Sequence, residues 1–489
     1  MPQVIKFGTD GWRGVIGEDF TFDNVRACAQ GVANYLQARG IASQGLIIGY
    51  DTRFASEDFA AAVAEVIAAN GIKAYLNPKA APTPVISYAI VAKKAAGAVI
   101  ITASHNPARW NGFKYKPEYA GSASPEVTAE LEKRIHEVVG TDRAKRLPLD
   151  DGLKRGLIEY LDPEPVYLRQ ISKLVDLGPI RKAGLRVVAD SMYGAGAGYF
   201  KKLLSGGKTE VIELNAERNP LFPEIQPEPI TQNLTKLSRT IREIKADIGL
   251  ATDGDSDRIG VMDENGVFIT QLQVFALLAL YLLEMRKERG ALVKSITTTD
   301  MIYKLGELYS VPVFETPVGF KYLGPKMMEE NALIGGEESG GFGYRGHIPE
   351  RDGILSGLYI LDFMVKTGEK PSELIQYLYS KVGVHHYNRT DFHFPAEKRE
   401  AVTQRLTQLK PKEIDKTKVT RINTMDGFHF RLSDGSWLLI RLSGTEPIAR
   451  IYAEGVSQGD VRSLLDAGNR MVRDIYGGRG SARRAPAGG

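Results

Sequence analysis

The chain has little cysteine, no long apolar run and little excess charge, and each shortage excludes a class of protein. Its 489 residues include one cysteine, Cys28, so no disulfide can form within the chain, as is usual in a reducing compartment. The first six residues, MPQVIK, contain no apolar core of a secretory signal. The longest apolar run, near 274–283, is too short to cross a bilayer and predicts a buried helix. We therefore expect a cytoplasmic protein with no membrane partner.

The charge balance argues against nucleic acid as a partner. The net charge is +4, and leaving out Arg479, Arg483 and Arg484 reduces it to +1. These arginines lie in the segment 477–489, whose Gly, Ala and Pro content predicts a disordered basic tail. Three arginines are a weak electrostatic footprint for binding a phosphate backbone. We expect no nucleic-acid partner, and the sequence gives no indication of the oligomeric state.

Strand-like and helical patterns alternate through most of the chain. Apolar runs at 46–50, 185–189 and 247–251 read as strands, with helical patterns between them. Such alternation predicts βαβ units and an α/β fold with parallel or mixed sheets. Near the C-terminus, two apolar runs flank the turn sequence SDGS at 433–436, which indicates a hairpin in a smaller α+β domain. We place domain boundaries after residues 153, 262, 383 and 476, mostly in charged or proline-rich stretches.

An acidic loop follows the strand-like run at 247–251. Asp253, Asp255 and Asp257 alternate there, and alternate side chains of an extended segment can point the same way. Three carboxylates suit Mg²⁺, and without a cation they would repel one another. The alternative is a solvated turn. An EF-hand is excluded, because the glycine and glutamate positions of that loop do not match.

A serine on a predicted turn is the candidate nucleophile. Ser104 follows the apolar run at 98–101, and ligands bind at the carboxyl ends of strands in open α/β sheets. The sequence around it lacks the G-x-S-x-G pattern of a hydrolase, so an ordinary turn is the alternative. Lys114 comes soon after, where it could neutralise a phosphate or move a proton.

Two further loops offer groups for a sugar phosphate. Glu337 and Glu338 follow a short apolar run and could accept hydrogen bonds from vicinal hydroxyls, although a solvated turn is equally compatible with them. The loop RLSGTEP at 441–447 combines an arginine, two hydroxyls and a glycine, as in an anion-binding nest. Arg450 adds a basic group nearby, and an ordinary hairpin is the alternative.

Two other motifs are rejected. The segment 341–346 matches G-x-G-x-x-G, but it neither follows a strand directly nor opens a helix, so a dinucleotide site is disfavoured. The pair His385-His386 has no cysteine or spaced histidine that would complete a zinc site.

Taken in order, these motifs resemble the α-D-phosphohexomutase superfamily, which includes phosphoglucomutases and phosphomannomutases. The resemblance spans nearly the whole chain, from FGTDGWRG at 7–14 to RLSGTEP at 441–447. It implies four domains around a central cleft: three related α/β mixed-sheet domains and a C-terminal α+β domain similar to the TATA-box-binding protein. The implied domains are 1–153 with a phosphoserine loop, 154–262 with a metal loop, 263–383 with a sugar-binding loop, and 384–476 with a phosphate-binding loop, followed by the tail 477–489.

The resemblance also implies roles for individual residues. Ser104 would be the phosphoserine and, with the three aspartates, would hold one Mg²⁺ per active site; glucose 1,6-bisphosphate would be the activator and intermediate. Lys114, Arg13 and Arg258 would stabilise the transferring group, and His347 could be the acid/base. The implied metal ligands are Ser104, Asp253, Asp255 and Asp257. The implied substrate-binding residues are Gly319, Lys321, Glu337, Ser339, Arg441, Ser443, Gly444, Thr445 and Arg450.

The resemblance leaves the substrate and the reaction open. Bacterial phosphomannomutases commonly end the sugar loop in histidine, whereas here Gly341 follows Gly340, which favours glucose over mannose. We expect reversible phosphoryl transfer between C1 and C6 of a hexose phosphate through a 1,6-bisphosphate. The alternatives are a glucose 1,6-bisphosphate synthase that uses a donor such as fructose 1,6-bisphosphate, a phosphopentomutase, a phosphoglucosamine mutase and a non-catalytic sugar-phosphate sensor.

Overall fold

A computed structural model describes residues 5–8, 10–443, 448–476 and 482–484. Three of its four sheets repeat one strand order, in which the first strand lies between the second and third and the fourth pairs antiparallel with the third. The order is β3-β2-β4-β5, then β8-β7-β9-β10, then β13-β12-β14-β15. Their strands are β2 Leu46–Tyr50, β3 Ala74–Leu76, β4 Gly97–Ile101, β5 Trp110–Pro117, β7 Arg186–Asp190, β8 Glu210–Leu214, β9 Ile248–Thr252, β10 Ile259–Met262, β12 Leu292–Ser295, β13 Val313–Thr316, β14 Ile334–Gly336 and β15 Phe342–Tyr344.

Additional strands extend the first two sheets. β1, Trp12–Val15, pairs with β5, and β6, Ile158–Tyr160, pairs with β3. β11, Phe268–Ile269, pairs with β10. The first sheet therefore reaches residue 160 and the second reaches residue 269, beyond the boundaries expected at 153 and 262, because each added strand supplies an edge partner. We call these three sheets with their helices the first, second and third modules.

Helices connect the parallel strands, as crossover connections require. The predicted buried helix near 274–283 is confirmed: α10 is Gln271–Leu280, and a π-helical turn continues it over Tyr281–Met285. No helix among the described residues is long and apolar enough to cross a membrane. The other helices of the three modules are α1 Phe22–Ala38, α2 Ser56–Ala69, α3 Thr83–Lys93, α4 Pro125–His136, α5 Leu149–Lys154, α6 Glu164–Leu174, α7 Leu177–Lys182, α8 Tyr199–Leu204, α9 Thr235–Ile244, α11 Met301–Leu308, α12 Phe320–Glu329, α13 Gly353–Thr367 and α14 Pro371–Val382.

The fourth module is built on an antiparallel sheet of order β17-β18-β19-β20-β21-β16-β22, and with it the predicted fold class is confirmed. Within the predicted tail 477–489 the structure describes Ala482–Arg484, which pair with β16 and so are hydrogen-bonded at the backbone. The elements are β16 His386–His393, α15 Arg399–Gln408, β17 Glu413–Ile414, β18 Thr417–Asn423, β19 Phe428–Leu432, β20 Trp437–Leu442, β21 Ile448–Gly455, α16 Gln458–Tyr476 and β22 Ala482–Arg484.

The apolar core divides unevenly among the modules. One continuous cluster includes Ile86 of the first module, Val187 of the second and Leu358 of the third. The fourth module has a cluster of its own around Phe430. A small cluster centred on Trp437 joins it to the third module. The first three modules thus share buried apolar surface, and polar contacts carry much of the attachment of the fourth.

Candidate active site

The repeated strand order brings three of the predicted loops together. In each module the chain leaves the third strand, at the carboxyl end of a parallel pair, and returns as the antiparallel fourth strand. The loop 102–109 makes this connection in the first module, 253–258 in the second and 337–341 in the third. Because ligands bind at the carboxyl ends of parallel strands, the topology itself directs these loops toward one site.

Ser104 is held in a defined and strained conformation. Its φ of 53° lies in the left-handed region, which is uncommon for residues other than glycine. Its backbone N–H donates to Thr102 Oγ1 at 2.8 Å, and its carbonyl accepts from Arg53 Nη2 at 2.6 Å. A Cβ on Gly254 would lie 2.4 Å from the Ser104 carbonyl oxygen. The acidic loop 253–258 can therefore approach the Ser104 backbone closely, because Gly254 has no side chain there.

The hydroxyl of Ser104 joins the acidic loop. Ser104 Oγ donates to Asp253 Oδ2 at 2.7 Å, and one oxygen from each of Asp253, Asp255 and Asp257 lies within 4.8 Å of the others. Burial, with the two neighbouring carboxylates, raises the pKa of Asp253 well above its usual range. Oδ1 of Asp255 and Oδ1 of Asp257 are buried and have no hydrogen-bond partner among the described residues. Unpartnered hard oxygens at this spacing fit a divalent cation such as Mg²⁺.

Basic side chains surround the three carboxylates. Lys114 Nζ lies 2.8 Å from Asp255 Oδ2 and 3.4 Å from Asp257 Oδ2. Burial alone would lower the pKa of Lys114, but these carboxylates and Asp10 raise it above its usual range, so the ammonium form is favoured. The Arg258 N–H donates to Asp253 Oδ1 at 3.1 Å.

Arg13 belongs to the same basic group. Burial lowers its pKa, and so does the neighbouring guanidinium of Arg258. The structure thus brings Ser104, the three aspartates, Lys114, Arg13 and Arg258 together.

Arg351 is a cation of the site that no sequence motif predicts. Its Nη2 lies 2.8 Å from Asp10 Oδ2 and 2.7 Å from Asp257 Oδ2, and its Nη1 lies 3.7 Å from Glu337 Oε2. Despite burial, which lowers it, the carboxylates raise the pKa of Arg351. Asp10 also binds Lys116 at 2.7 Å. Asp10 stands in the N-terminal motif and Arg351 four residues after His347, but no sequence signal pairs Asp10 with Arg351.

The sugar loop faces the segment 316–321. Glu337 Oε1 accepts the N–H of Gly319 at 2.9 Å, and burial raises the pKa of Glu337. Ser339 is half-buried two residues on. Glu338, in contrast, contacts the fourth module, where the Tyr387 hydroxyl donates to it at 3.2 Å. Lys321 Nζ lies 3.4 Å from the carbonyl oxygen of Gly8, in the first module.

The structure describes residues 441–443 of the predicted phosphate-binding loop 441–447. Arg441 lies near the end of β20 and donates through Nε to Asp426 Oδ1 at 2.9 Å, and Arg450 is its register partner on β21. The N–H of Ser443 donates to the Ile448 carbonyl at 3.0 Å. The predicted ligands Gly444 and Thr445 lie outside the described residues.

His347 contacts Asp352 and two tyrosines rather than the three metal-loop carboxylates, and its expected role as the acid/base stays a prediction. Its side chain is fully buried, and Nε2 lies 3.0 Å from Asp352 Oδ2. Its ring stacks on Tyr88 and lies against Tyr167. Asp352 also caps α13 by accepting the Leu355 N–H, so the carboxylate that holds the imidazole is itself fixed by the helix start.

Comparisons with known proteins identify the class. Four models of phosphoglucomutase/phosphomannomutase domains match in order: alpha/beta/alpha domain I at residues 4–140, domain II at 165–266, domain III at 271–382 and the C-terminal domain at 399–468. A phosphoglucomutase/phosphomannomutase of Thermococcus kodakarensis is 31% identical over 476 residues, which cover 96% of this chain and 99% of that protein.

Two further relatives match over nearly the whole chain. A protein of Methanothermobacter thermautotrophicus named as a probable phosphoglucosamine mutase is 32% identical over 96% of this chain and 98% of its own length. A crystal structure of a candidate phosphomannomutase from Thermus thermophilus has a TM-score of 0.83 and 34% identity, and covers 97% of this chain and 100% of its own. The chain is therefore an α-D-phosphohexomutase-superfamily protein. Within that superfamily it belongs to the phosphoglucomutase/phosphomannomutase family.

Proposed function

We propose that the protein is a hexose-phosphate mutase that uses Ser104 as a phosphoserine. The observation that carries the proposal is the 2.7 Å bond from Ser104 Oγ to Asp253, beside buried carboxylate oxygens with no partner among the described residues. A serine hydroxyl in contact with a cation-binding carboxylate is where a phosphoryl group would be neutralised during transfer.

The reaction is a pair of phosphoryl transfers. In the first, the bond from Ser104 Oγ to phosphorus breaks and a sugar hydroxyl bonds to that phosphorus. The hydroxyl proton passes to a carboxylate beside Lys114, and the Lys114 ammonium donates a proton to the departing Ser104 Oγ. The sugar 1,6-bisphosphate then turns in the cleft and returns its other phosphoryl group to Ser104. When bound by Ser104 and the three aspartates, Mg²⁺ supplies positive charge at the transferring group.

The remaining side chains position the substrate. Arg13, Arg258 and Arg351 supply fixed positive charge that needs no reorganisation during the transfer. Ser104 is 1% exposed, so water has little access to it. We assign the sugar hydroxyls to Glu337 and Ser339. We assign the distant phosphate to Arg441, Ser443, Gly444, Thr445, Arg450 and Lys321.

Glucose is the first candidate substrate and mannose the second. The proposal rests on the sugar loop, in which Gly341 follows Gly340 where a histidine is common in bacterial phosphomannomutases. Glucosamine phosphate is a further candidate, because one of the relatives is named for that substrate.

The test is ³¹P NMR of the purified protein with Mg²⁺, a hexose 1-phosphate and a catalytic amount of glucose 1,6-bisphosphate. Glucose, mannose and glucosamine 1-phosphates are compared. Growth of the 6-phosphate signal with the bisphosphate constant supports the mutase. A second mixture contains fructose 1,6-bisphosphate as donor, and stoichiometric build-up of glucose 1,6-bisphosphate there identifies a synthase. Bound sugar phosphate without turnover identifies a sensor.

Arg441→Ala is expected to raise KM about tenfold to a hundredfold, with kcat changed much less. A charge-assisted hydrogen bond contributes about 1.5–3 kcal/mol. Loss of a group that binds the ground state and the transition state equally raises KM and leaves kcat nearly unchanged. Steady-state rates across substrate concentration measure the effect. The control is Arg421→Ala, an exposed arginine on β18 of the same module. An unchanged KM in Arg441→Ala removes the arginine from the phosphate site.

A further inference from the structure

Asp426 accepts a hydrogen bond from each side of the boundary between the third and fourth modules. Its Oδ1 accepts from Arg441 Nε at 2.9 Å, within the fourth module. Its Oδ2 accepts the backbone N–H of Val318 at 2.9 Å, in the third. One carboxylate therefore holds both the arginine assigned to the phosphate and the segment 316–321.

The chain around Asp426 is built for this contact. The turn 423–427 joins β18 to β19, and Gly427 has a φ of 105°. A Cβ on Gly427 would lie 2.7 Å from the Ile440 carbonyl oxygen and 3.1 Å from the Arg441 Cα. Glycine is thus what lets the turn lie directly on β20 beside Arg441. The same turn reaches the third module again through Asn423 Nδ2, 2.9 Å from Glu315 Oε1.

The contact continues into the sugar loop. Val318 donates to Asp426, and the next residue, Gly319, donates to Glu337 at 2.9 Å. Two consecutive amides of one segment are thus held by different partners, one by the fourth module and one by the sugar loop. These hydrogen bonds connect Arg441 through Asp426 to Val318, and Gly319, the next residue, to Glu337. A shift of Arg441 away from Asp426 therefore alters a set of contacts that ends at Glu337.

We propose that Asp426 is a positioning residue that orients Arg441 and couples phosphate binding there to the placement of the segment 316–321 against the sugar loop. The inference rests on the proposed function. The bond to Asp426 uses Nε, so the terminal nitrogens of the guanidinium are not consumed by it and can meet a phosphate as a fork. Side chains that orient a ligand-binding group in this way raise affinity without touching the ligand.

Coupling requires both carboxylate oxygens. An asparagine at 426 has one acceptor oxygen and an NH₂ group that cannot accept from an N–H donor. Asp426→Asn can therefore keep the bond to Arg441 or the bond to Val318, but not both. The Arg441 and Asp426 side chains are also 15% and 23% exposed, so the pair lies within reach of a ligand in the cleft.

The test is a double-mutant cycle on glucose 6-phosphate affinity, measured by calorimetry on the full-length protein. The variants are Asp426→Ala, Arg441→Ala and the double substitution. Asp426→Ala is expected to raise Kd about tenfold beside an intact Arg441 and less than about twofold in the Arg441→Ala background. In rates, KM should rise in parallel while kcat stays within about threefold. Asp426→Asn should shift Kd in the same direction with an unchanged melting temperature.

A matched control separates positioning from folding. Asp434 lies in the neighbouring hairpin and accepts the Ser436 N–H at 2.9 Å, and Asp434→Ala should leave Kd unchanged. Equal effects of Asp426→Ala in both backgrounds overturn the inference, since a general loss of structure acts whether or not Arg441 is present. An unchanged Kd in both Asp426 variants overturns it as well. A wild-type protein that binds no hexose phosphate overturns the proposed function and this inference together.

Discussion

Replacing Ser104 by alanine is expected to lower turnover by at least about a thousandfold. The variant loses the oxygen that would carry the phosphoryl group and that donates to Asp253 Oδ2 at 2.7 Å. The nearby hydroxyl of Thr102 does not take its place, because Thr102 Oγ1 is already bonded to Asp51 Oδ2 at 2.6 Å and to the Ser104 N–H. Rates are measured with each hexose 1-phosphate, and intact mass after incubation with glucose 1,6-bisphosphate reports whether one phosphoryl group is retained.

The control for Ser104→Ala is Ser172→Ala. Ser172 is exposed on α6 and bonds to the Leu168 carbonyl, so its loss should change neither rate nor mass gain. The fold of Ser104→Ala should persist, because its strained backbone is held by Arg53 and Thr102 rather than by the hydroxyl. A Ser104→Ala protein that turns over at the wild-type rate, or that still gains one phosphoryl mass, would show that another residue carries the phosphate.

The strands were easier to predict from the sequence than their grouping into sheets. Apolar runs such as 46–50 and 247–251 are buried strands because side chains on both faces are covered by helices. The threefold repeat of strand order was not visible, because β4 (GAVII) and β14 (IGG) share a position in the sheet and little sequence. β6 and β11 extend their sheets past the expected boundaries, since edge pairing depends on contacts remote in sequence.

The site residues also differ in how well the sequence predicts them. Asp253, Asp255 and Asp257 could be predicted because they are neighbours in one loop, whereas Arg351 and Asp426 act across modules and leave no local pattern. Likewise, the resemblance suggested an acid/base role for His347, whose side chain is held by Asp352 in this structure. A resemblance transfers loop positions well, but it does not show which way a side chain points.

Asp255→Asn is expected to lower activity about a hundredfold or more and to raise the Mg²⁺ concentration needed for half-maximal rate. Asp255 is fully buried; its Oδ2 accepts from Thr83 Oγ1 at 2.6 Å and Lys114 Nζ at 2.8 Å, and its Oδ1 has no partner among the described residues. Asparagine is nearly the same size, but it removes one of three charges that attract the cation and leaves Lys114 short of a counter-ion. Initial rates over a Mg²⁺ series and calorimetric Mg²⁺ binding measure both effects.

Asp263→Asn is the matched control, because it alters another buried aspartate close in sequence to the metal loop. Its Oδ1 accepts the N–H groups of Asn265 and Val267 in the turn between β10 and β11, and an asparagine oxygen can accept both, so the substitution should leave the melting temperature and the Mg²⁺ dependence unchanged. The contrast isolates charge at the cation from loss of a negative charge elsewhere in the second module. If Asp255→Asn and Asp263→Asn instead respond to Mg²⁺ in the same way as the wild-type protein, Asp255 is not a metal ligand.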